Sequence, residues 1–575
     1  MYTDLAELIN EGKWDLAEIE FEKYKNTEWT DTLSILAASI YWHKEDYNNF
    51  LESVTKGLTY NFRNYELYLL LGNYYEQFSP EQAWLCYENA EFYCDQPEDA
   101  KIISEFKNNI YPALSTPIRK TAIVILSYNS LEITKACIQS IRDNNLPSSY
   151  ELILVDNNSE DGSREWLQQQ KDIKLICNDQ NMGFPYGCNQ GIKIADPESD
   201  IFLLNSDTVV APNSIFWLRM GLYSGARIGA TGSVSNRVYN HQQVENCGTS
   251  IEECMEYAVT HNVPMKNPYE KKLYLIGFAM MIKREALDDI GLLDVRFSPG
   301  TYEDNDYGVR LHKADWEVLL CKNSFIYHRP GNHSNATTWH EIANTNAKKF
   351  FDKWNINIGY YSSIKNELIQ FIKEDYNQPI NVLEIGCGFG ATLAHIESLW
   401  SNAKVYGIES EENVTAIASH YLNIIQGNAE TMYLPYPTSY FDYIILGDVL
   451  EHLINPENLL KRLTPYLRAA GQFICSMPNL MHTSALFPLL LNGTFDYQST
   501  GILDKTHLRF FTLDSIYKLF NRCGLEISDL KGITSITEEN NQILDTLLSL
   551  FPMPDKQQFL ISQYLFCASA YQGNL

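Results

Sequence analysis

The chain has no CxxC pair, no long apolar run and no excess of positive charge, and each absence removes a class of function. Its 12 cysteines are scattered from Cys86 to Cys567 without the spacing of a zinc site or a dense disulfide frame, so they read as reduced core thiols. The most apolar long stretch, LYLIGFAMMI (273–282), falls short of the roughly 18–20 residues a membrane span requires, and no integral membrane segment is expected. The opening residues, MYTDLAELINEGKWDL, carry acids and no apolar stretch of the secretory kind, so a cytoplasmic location is expected. Lys and Arg total 44 against 72 Asp and Glu, a formal net charge of −28. Such a surface repels nucleic-acid phosphates and anionic lipid heads, so no nucleic-acid partner is expected. Anionic nucleotide cofactors then need local devices, namely a metal ion or a helix N-terminus.

A chain of 575 residues exceeds what one hydrophobic core organises, and several domains are expected. Residues 1–115 contain few Gly or Pro and place apolar residues at helical spacing. Leu36-Ala37 and Leu71-Gly72 lie 35 positions apart, each followed by an aromatic residue (Tyr41, Tyr75), with Ala83, Tyr87 and Ala90 downstream. That period resembles tetratricopeptide repeats, whose concave face would offer a surface for a protein partner; a plain helical bundle satisfies the same spacing.

Near residue 120 the texture changes. TAIVILSY, ELILVD, IKLIC and IFLLN are predicted strands separated by helical spacing, which specifies a mostly parallel sheet covered on both faces. After a polar stretch around 355–375 a second such series follows, with NVLEIG, KVYGIE, YIILGD and GQFICS as strands. The expected organisation is multidomain: a helical region over 1–115, then α/β domains over 118–355 and 362–575.

Open α/β sheets bind ligands at the carboxyl ends of their strands. In the central region those ends carry Ser127-Tyr128-Asn129, VDNNSEDGS from Asp156, and Asn205-Ser206-Asp207-Thr208. An Asp directly after a buried strand is held rigidly, as a hard cation's ligand should be; the same words also suit Asx-turns and helix caps. In order along the chain come ILSYNS, ILVDNNSEDGS, NMGFPYGCNQGI, LLNSD, GFAMMIKREALDDIGLLDVRF and YEDNDYGVRLHKADWE. This succession resembles the family 2 glycosyltransferases with the GT-A (Rossmann-like) fold, particularly rhamnosyltransferase-like members, over about 120–350. The resemblance implies a UDP- or dTDP-linked nucleotide sugar as donor, with Asp156 on the base and Asn181 and Asn189 also on the donor. Asp207 stands for the metal-binding acid of the DxD motif, with Asn205 where its first Asp would be. His328, in the HxxGxxS context formed with Gly331 and Ser334, is the candidate second ligand of a divalent metal, Mn2+ or Mg2+. Such a cation neutralises the charge that develops on the departing diphosphate. The resemblance puts the general base, which takes the acceptor's proton in an inverting displacement, on Asp304. Glu303 and Asp306 would support it, although all three acids also suit a helix N-terminus.

In NVLEIGCGFGATLAHI a strand meets a helix through Gly386, Gly388 and Gly390, a turn that lets the backbone approach a ligand closely. The spacing is GxGxG, with Ala391 where a dinucleotide fingerprint wants its last Gly, and the next strand ends in Glu409, suited to grip ribose hydroxyls. With GNAE, FDYIILGDVLEHLINP, GQFICSMPN and a late QYLFCASA, this resembles class I SAM-dependent methyltransferases, also Rossmann-like, over about 365–571. The resemblance implies S-adenosyl-L-methionine (SAM) held by Glu384, the three glycines, Glu409, Asn428 and Asp448, with Asn428 where many relatives carry Asp. His452, in VLEHL, and His507, in KTHLRFFT, are the candidate catalytic bases, their ordinary pKa suiting proton transfer; His452 also suits a packing role.

The sequence thus points to a bifunctional enzyme that adds a sugar to a glycan or glycoprotein acceptor and methylates the product. Joining both activities in one chain raises the effective concentration of one site's product at the other. A protein glycosyltransferase, recruited to a surface-layer or flagellar subunit by the helical region and carrying a separate methylation target, is the alternative. A non-catalytic scaffold with degenerate enzyme domains is a third reading, opposed by the intact Asp207, Asp304 and glycine turn.

Overall fold

A computed structural model describes residues 2–330, 336–535, 537–550 and 555–571. The chain divides into two compact units, Met1–Asn355 and Ile356–Leu575. Among the described residues no helix is long and apolar enough to cross a membrane, and the cysteines are free, most of them buried.

The first unit opens with helices α1 (Thr3–Asn10), α2 (Trp14–Phe21), α3 (Asp31–His43), α4 (Tyr47–Tyr60), α5 (Tyr65–Tyr75), α6 (Pro80–Tyr93) and α7 (Pro97–Ile110). Their starts are written locally. Thr30, Asp46 and Asn64 cap α3, α4 and α5 by accepting backbone N–H groups, and Pro80 and Pro97 occupy first turns where no N–H is missed. Successive helices pack as α1 on α2, α3 on α4 and α5 on α6. Gly72 has no room for a side chain: a Cβ there would lie 2.3 Å from the Tyr87 ring of the next helix.

Nine strands follow: β1 (Thr121–Ser127), β2 (Tyr150–Asp156), β3 (Ile173–Cys177), β4 (Asp200–Asn205), β5 (Thr208–Val210), β6 (Ile228–Val234), β7 (Tyr269–Lys271), β8 (Ala279–Ile282) and β9 (Glu317–His328). They form one sheet in the order β3-β2-β1-β4-β8-β6-β9-β5, with β7 on β9. β1 to β4 are parallel, whereas β8 runs antiparallel to β4. The order reverses at β1/β4, the switch point where such sheets leave a crevice. The helical segment shares a core with this sheet. Phe50, Tyr68 and Tyr87 belong to the same buried cluster as Phe216 and Trp217, and Gln82 Nε2 donates to the Met220 carbonyl at 3.0 Å.

The second unit contains β10 (Asn381–Ile385), β11 (Lys404–Glu409), β12 (Ile424–Gln426), β13 (Phe441–Gly447), β14 (Leu467–Pro478), β15 (Leu525–Thr534) and β16 (Ile561–Ala570). Their order is β12-β11-β10-β13-β14-β16-β15, parallel as far as β14. The late strand β16 inserts antiparallel between β14 and β15. The switch point lies at β10/β13.

Candidate active sites

In the first unit, parallel pairing in register brings the strand ends together: Ser127 lies beside Asp156, and Leu126 beside Asn205. Asp156 is fully buried, accepting Arg164 Nε at 2.8 Å and the Ser159 N–H at 3.3 Å. Next to it Asn157 donates to Asn181 Oδ1 at 2.7 Å and accepts from Asn178 and from the Met182 N–H. Asn181 Oδ1 also accepts the Gly183 N–H at 3.0 Å. Asn181 therefore shapes the loop that passes beneath residue 299, where a Cβ on Gly183 would lie 2.7 Å from Pro299 Cα. Asn189 sits further along the following helix, and the backbone of Leu293 engages both ends of its amide, at 2.8 and 3.0 Å. Asp156 and Asn181 thus share one strand-end network, whereas Asn189 is tied to a different loop.

Asp207 and His328 meet. β5 pairs antiparallel with β9, Thr208 opposite His328, so the far end of β9 returns to the turn after β4. Asp207 Oδ1 and His328 Nε2 are 3.2 Å apart, both partly exposed. His328 Nδ1 lies 2.9 Å from the Arg237 carbonyl; a carbonyl only accepts, so Nδ1 carries the proton and Nε2 is the donor atom left to a metal. The Phe278 ring stacks on the imidazole at 5.1 Å. Burial opposes charge on His328, yet the Asp207 carboxylate outweighs it and the pKa is raised. Asn205 turns its N–H to the Phe278 carbonyl at 2.8 Å. Gly331 and Ser334 lie outside the described residues.

Asp304 opens the helix Glu303–Lys313. Its Oδ2 accepts the Gly277 N–H at 3.1 Å and its Oδ1 the Asn305 N–H at 2.8 Å. Gly277 and Phe278 are consecutive, so one dipeptide touches the acid on one side and the imidazole on the other. Burial raises the Asp304 pKa despite these bonds, and raises that of Glu303 further, with Asp304 adding repulsion. Glu303 Oε2 has no hydrogen-bond partner. Asp306, by contrast, is committed to Arg310, Lys353 and Trp354 at 2.8, 2.5 and 2.9 Å. Thr301 and Tyr302 both have positive φ, +73° and +69°, a strained approach. Asn346 holds it, its buried amide donating to the carbonyls of Phe297, Gly300 and Thr301 at 2.7, 2.8 and 3.1 Å. Neither Asn346 nor Arg164 carries a signal in the sequence.

In the second unit Gly386, Gly388 and Gly390 all adopt positive φ, +66°, +54° and +76°. A Cβ on Gly388 would lie 2.4 Å from the Tyr361 carbonyl oxygen. The Gly388 N–H donates to Glu409 Oε2 at 2.9 Å, while Glu409 Oε1 accepts the N–H groups of Ser410 and Glu411 at 2.7 and 3.0 Å. This side chain fastens the turn after β11 to the glycine turn after β10. Glu384 lies buried in β10 with Oε2 unpartnered, and burial pushes its carboxyl up to about 7. Asn428 is exposed just past β12, its Oδ1 accepting the Glu430 N–H at 2.8 Å. Asp448 follows β13 at φ +54°, accepting from Ser476 at 2.9 Å and from Gln563 at 2.5 Å. His452 and His507 form an edge-to-face pair 4.8 Å apart. Burial, then His507, lowers the His452 pKa.

Two family models match parts of this chain: "Glycosyl transferase family 2" over residues 122–291 and "Methyltransferase domain" over 359–530. The ubiquinone biosynthesis O-methyltransferase of Rickettsia prowazekii is 25% identical over 180 residues, 29% of this chain and 67% of the relative. An uncharacterized glycosyltransferase of Bacillus subtilis, YfnE, is 23% identical over 254 residues, 36% of this chain and 64% of the relative. The chain thus spans about two thirds of the length of these curated relatives. Among solved structures, a mannosyltransferase of Pyrobaculum calidifontis in complex with GDP-Man and Mn2+ aligns over 47% of this chain and 75% of its own, at 14% identity and TM-score 0.32. The chain thus joins a segment similar to family 2 glycosyltransferases to one similar to methyltransferase domains, each only distantly related to known members.

Proposed function

We propose that the chain is a two-headed enzyme. The central domain transfers a sugar with inversion from a nucleotide sugar to a glycan or glycoprotein acceptor, and the C-terminal domain methylates a hydroxyl of that glycan from SAM. The observation that carries this reading is the meeting of Asp207 and His328 at 3.2 Å, one dipeptide away from Asp304. The carboxylate and the free Nε2 suit a divalent cation, Mn2+ or Mg2+, which when bound supplies neutralising charge to the leaving diphosphate. Asp156 and Asn181 form the donor side, and Asn189, expected there as well, is instead bound to the backbone of Leu293. Asp304 takes the proton from the acceptor hydroxyl as its oxygen attacks the face opposite the leaving group; burial makes this carboxylate a stronger base than an exposed one.

In the C-terminal domain the three positive-φ glycines leave the close backbone approach that SAM requires, with Glu384, Glu409, Asn428 and Asp448 around the cofactor and His452 and His507 toward the acceptor. SAM, when bound, supplies the methyl group. The test is a panel of UDP-, dTDP- and GDP-sugars assayed for hydrolysis and transfer, beside calorimetric SAM binding. A chain that hydrolyses none of the sugars and binds no SAM refutes both halves.

A further inference from the structure

The short turn Leu450–His452 after β13 brings Glu451 and His452 against His507. We propose that Glu451, His452 and His507 form a divalent-cation site of the Zn2+/Mn2+ class, with a coordination position left open for the methyl acceptor. One potential ligand atom from each of the three side chains lies within 4.8 Å of those of the other two. Around one ion, with bonds of about 2.0–2.2 Å, donors sit roughly 3–3.5 Å apart, so closure needs side-chain rotations of an ångström or so.

Three features show how this cluster is prepared for an ion. His452 Nδ1 faces the Thr506 carbonyl at 3.3 Å and His507 Nδ1 the Ile502 carbonyl at 2.9 Å. Both Nδ1 atoms therefore carry protons, and each ring keeps Nε2 as a free donor, the orienting arrangement usual for metal-bound imidazoles. Glu451 is 1% exposed, yet neither carboxylate oxygen has a hydrogen-bond partner. A buried carboxyl group whose oxygens lack hydrogen-bond partners is costly, and a bound cation would satisfy them. The Glu451 carbonyl also accepts the N–H groups of Leu508 and Arg509 at 2.8 and 2.9 Å, so the segment bearing His507 is fixed to the one bearing Glu451.

Two imidazoles and one carboxylate are the donor set of open catalytic sites, with a position free for water or substrate. The cluster borders the glycine turn, since Val449 Cγ2 lies 3.0 Å from where a Gly386 Cβ would stand. Its chemical consequence rests on the methyltransferase reading; the site itself does not. A bound acceptor hydroxyl would lose its proton to water at lower pH. Its oxygen then forms the C–O bond to the methyl carbon of SAM as the C–S bond breaks, the electron pair staying on sulfur. The two histidines would thus act as ligands and not as bases.

The test uses the full chain carrying Asp207→Asn, so that the central domain's candidate cation site is silent. After chelation and dialysis, ZnCl2 and MnCl2 are titrated separately by calorimetry, and SAM binding is measured on the same samples. One equivalent of cation should bind, and Glu451→Gln and His507→Gln should each weaken it at least about 100-fold, more than loss of an outer-shell partner does. Glu451→Gln is nearly isosteric, so it keeps the test valid should His507→Gln fail to fold. No cation binding by protein that binds SAM overturns the proposal and leaves the methyltransferase reading standing. Unchanged affinity in Glu451→Gln overturns it as well. Cation binding that needs Glu451, in protein that binds no SAM, supports the site and refutes the methyltransferase reading.

Discussion

Replacing Gly388 by Ala tests the cofactor turn at a single atom. Position 388 has φ +54°, and the added Cβ would stand 2.4 Å from the Tyr361 carbonyl oxygen, a backbone atom that cannot swing away. A left-handed conformation costs an L-residue about 1–2 kcal/mol, and forcing an atom into a filled position costs about 1–3 kcal/mol more. The variant should therefore lose about 2–5 kcal/mol, or relax by moving the turn and giving up the 2.9 Å bond from the Gly388 N–H to Glu409. Either response displaces the backbone that SAM must approach, so its affinity should fall at least about tenfold, the equivalent of about 1.4 kcal/mol. Gly524→Ala is the matched control: φ is +72°, nothing lies within 4 Å of its Cβ position, and only the conformational cost of about 1–2 kcal/mol applies. Chemical denaturation gives both stabilities and calorimetry gives SAM affinity. If Gly388→Ala unfolds like Gly524→Ala and binds SAM like the parent, the turn is not the cofactor's cradle.

Asp304→Asn should reduce sugar transfer at least about 100-fold while nucleotide-sugar binding persists; a tenth of parental turnover would remove Asp304 as the base. Its stability has a defined sign. Burial raises the Asp304 pKa above 3.8 in the fold, so the carboxyl's contribution is fully present below that value and lost as pH rises through the folded pKa. The Asn variant should gain stability relative to the parent between acid and neutral pH, as denaturation at several pH values would show. Chelation should stop transfer and Mn2+ or Mg2+ restore it; full activity in the chelated protein would refute a role for Asp207 and His328 in holding a cation. Asn346→Ala removes the donor to three carbonyls behind Asp304 and should cost about 1–3 kcal/mol. Its kcat should fall by up to about 100-fold, from misplacement of the base, with donor KM little changed in steady-state assays. If methylation follows glycosylation, label from SAM should enter product only when nucleotide sugar is also present, and label in the bare acceptor would reverse the order.

The strands that build both switch points were legible because each is a short apolar run ending in a polar word: Ile201–Asn205 before Asp207, and Asn381–Ile385 before the glycines. Burial on both faces imposes such runs, so parallel central strands announce themselves. The three glycines were legible as well, since a left-handed backbone at 386, 388 and 390 leaves little choice of residue. Strands β6, β8 and β9 were harder to read, because mixed pairing depends on partners distant in sequence. The helical segment's shared core with the central sheet was likewise invisible, as side chains such as Phe50 and Tyr68 meet Phe216 and Trp217 only after folding. The sequence resemblance marked Asp207 and His328 as two ligands of one metal; the β5–β9 pairing is what brings them together. It marked Asn181 and Asn189 alike, whereas the fold gave the first to a strand-end network and the second to the backbone of Leu293. Glu451 stood unnoticed beside His452, because a carboxylate's lack of partners is a property of its surroundings and not of its neighbours in the chain. By itself the sequence determined which residue types stand at the strand ends, since local backbone geometry and burial dictate them. Which of those residues meet, and which remain unpaired, was decided by tertiary structure, because hydrogen bonds and metal ligands join atoms close in space whatever their separation along the chain.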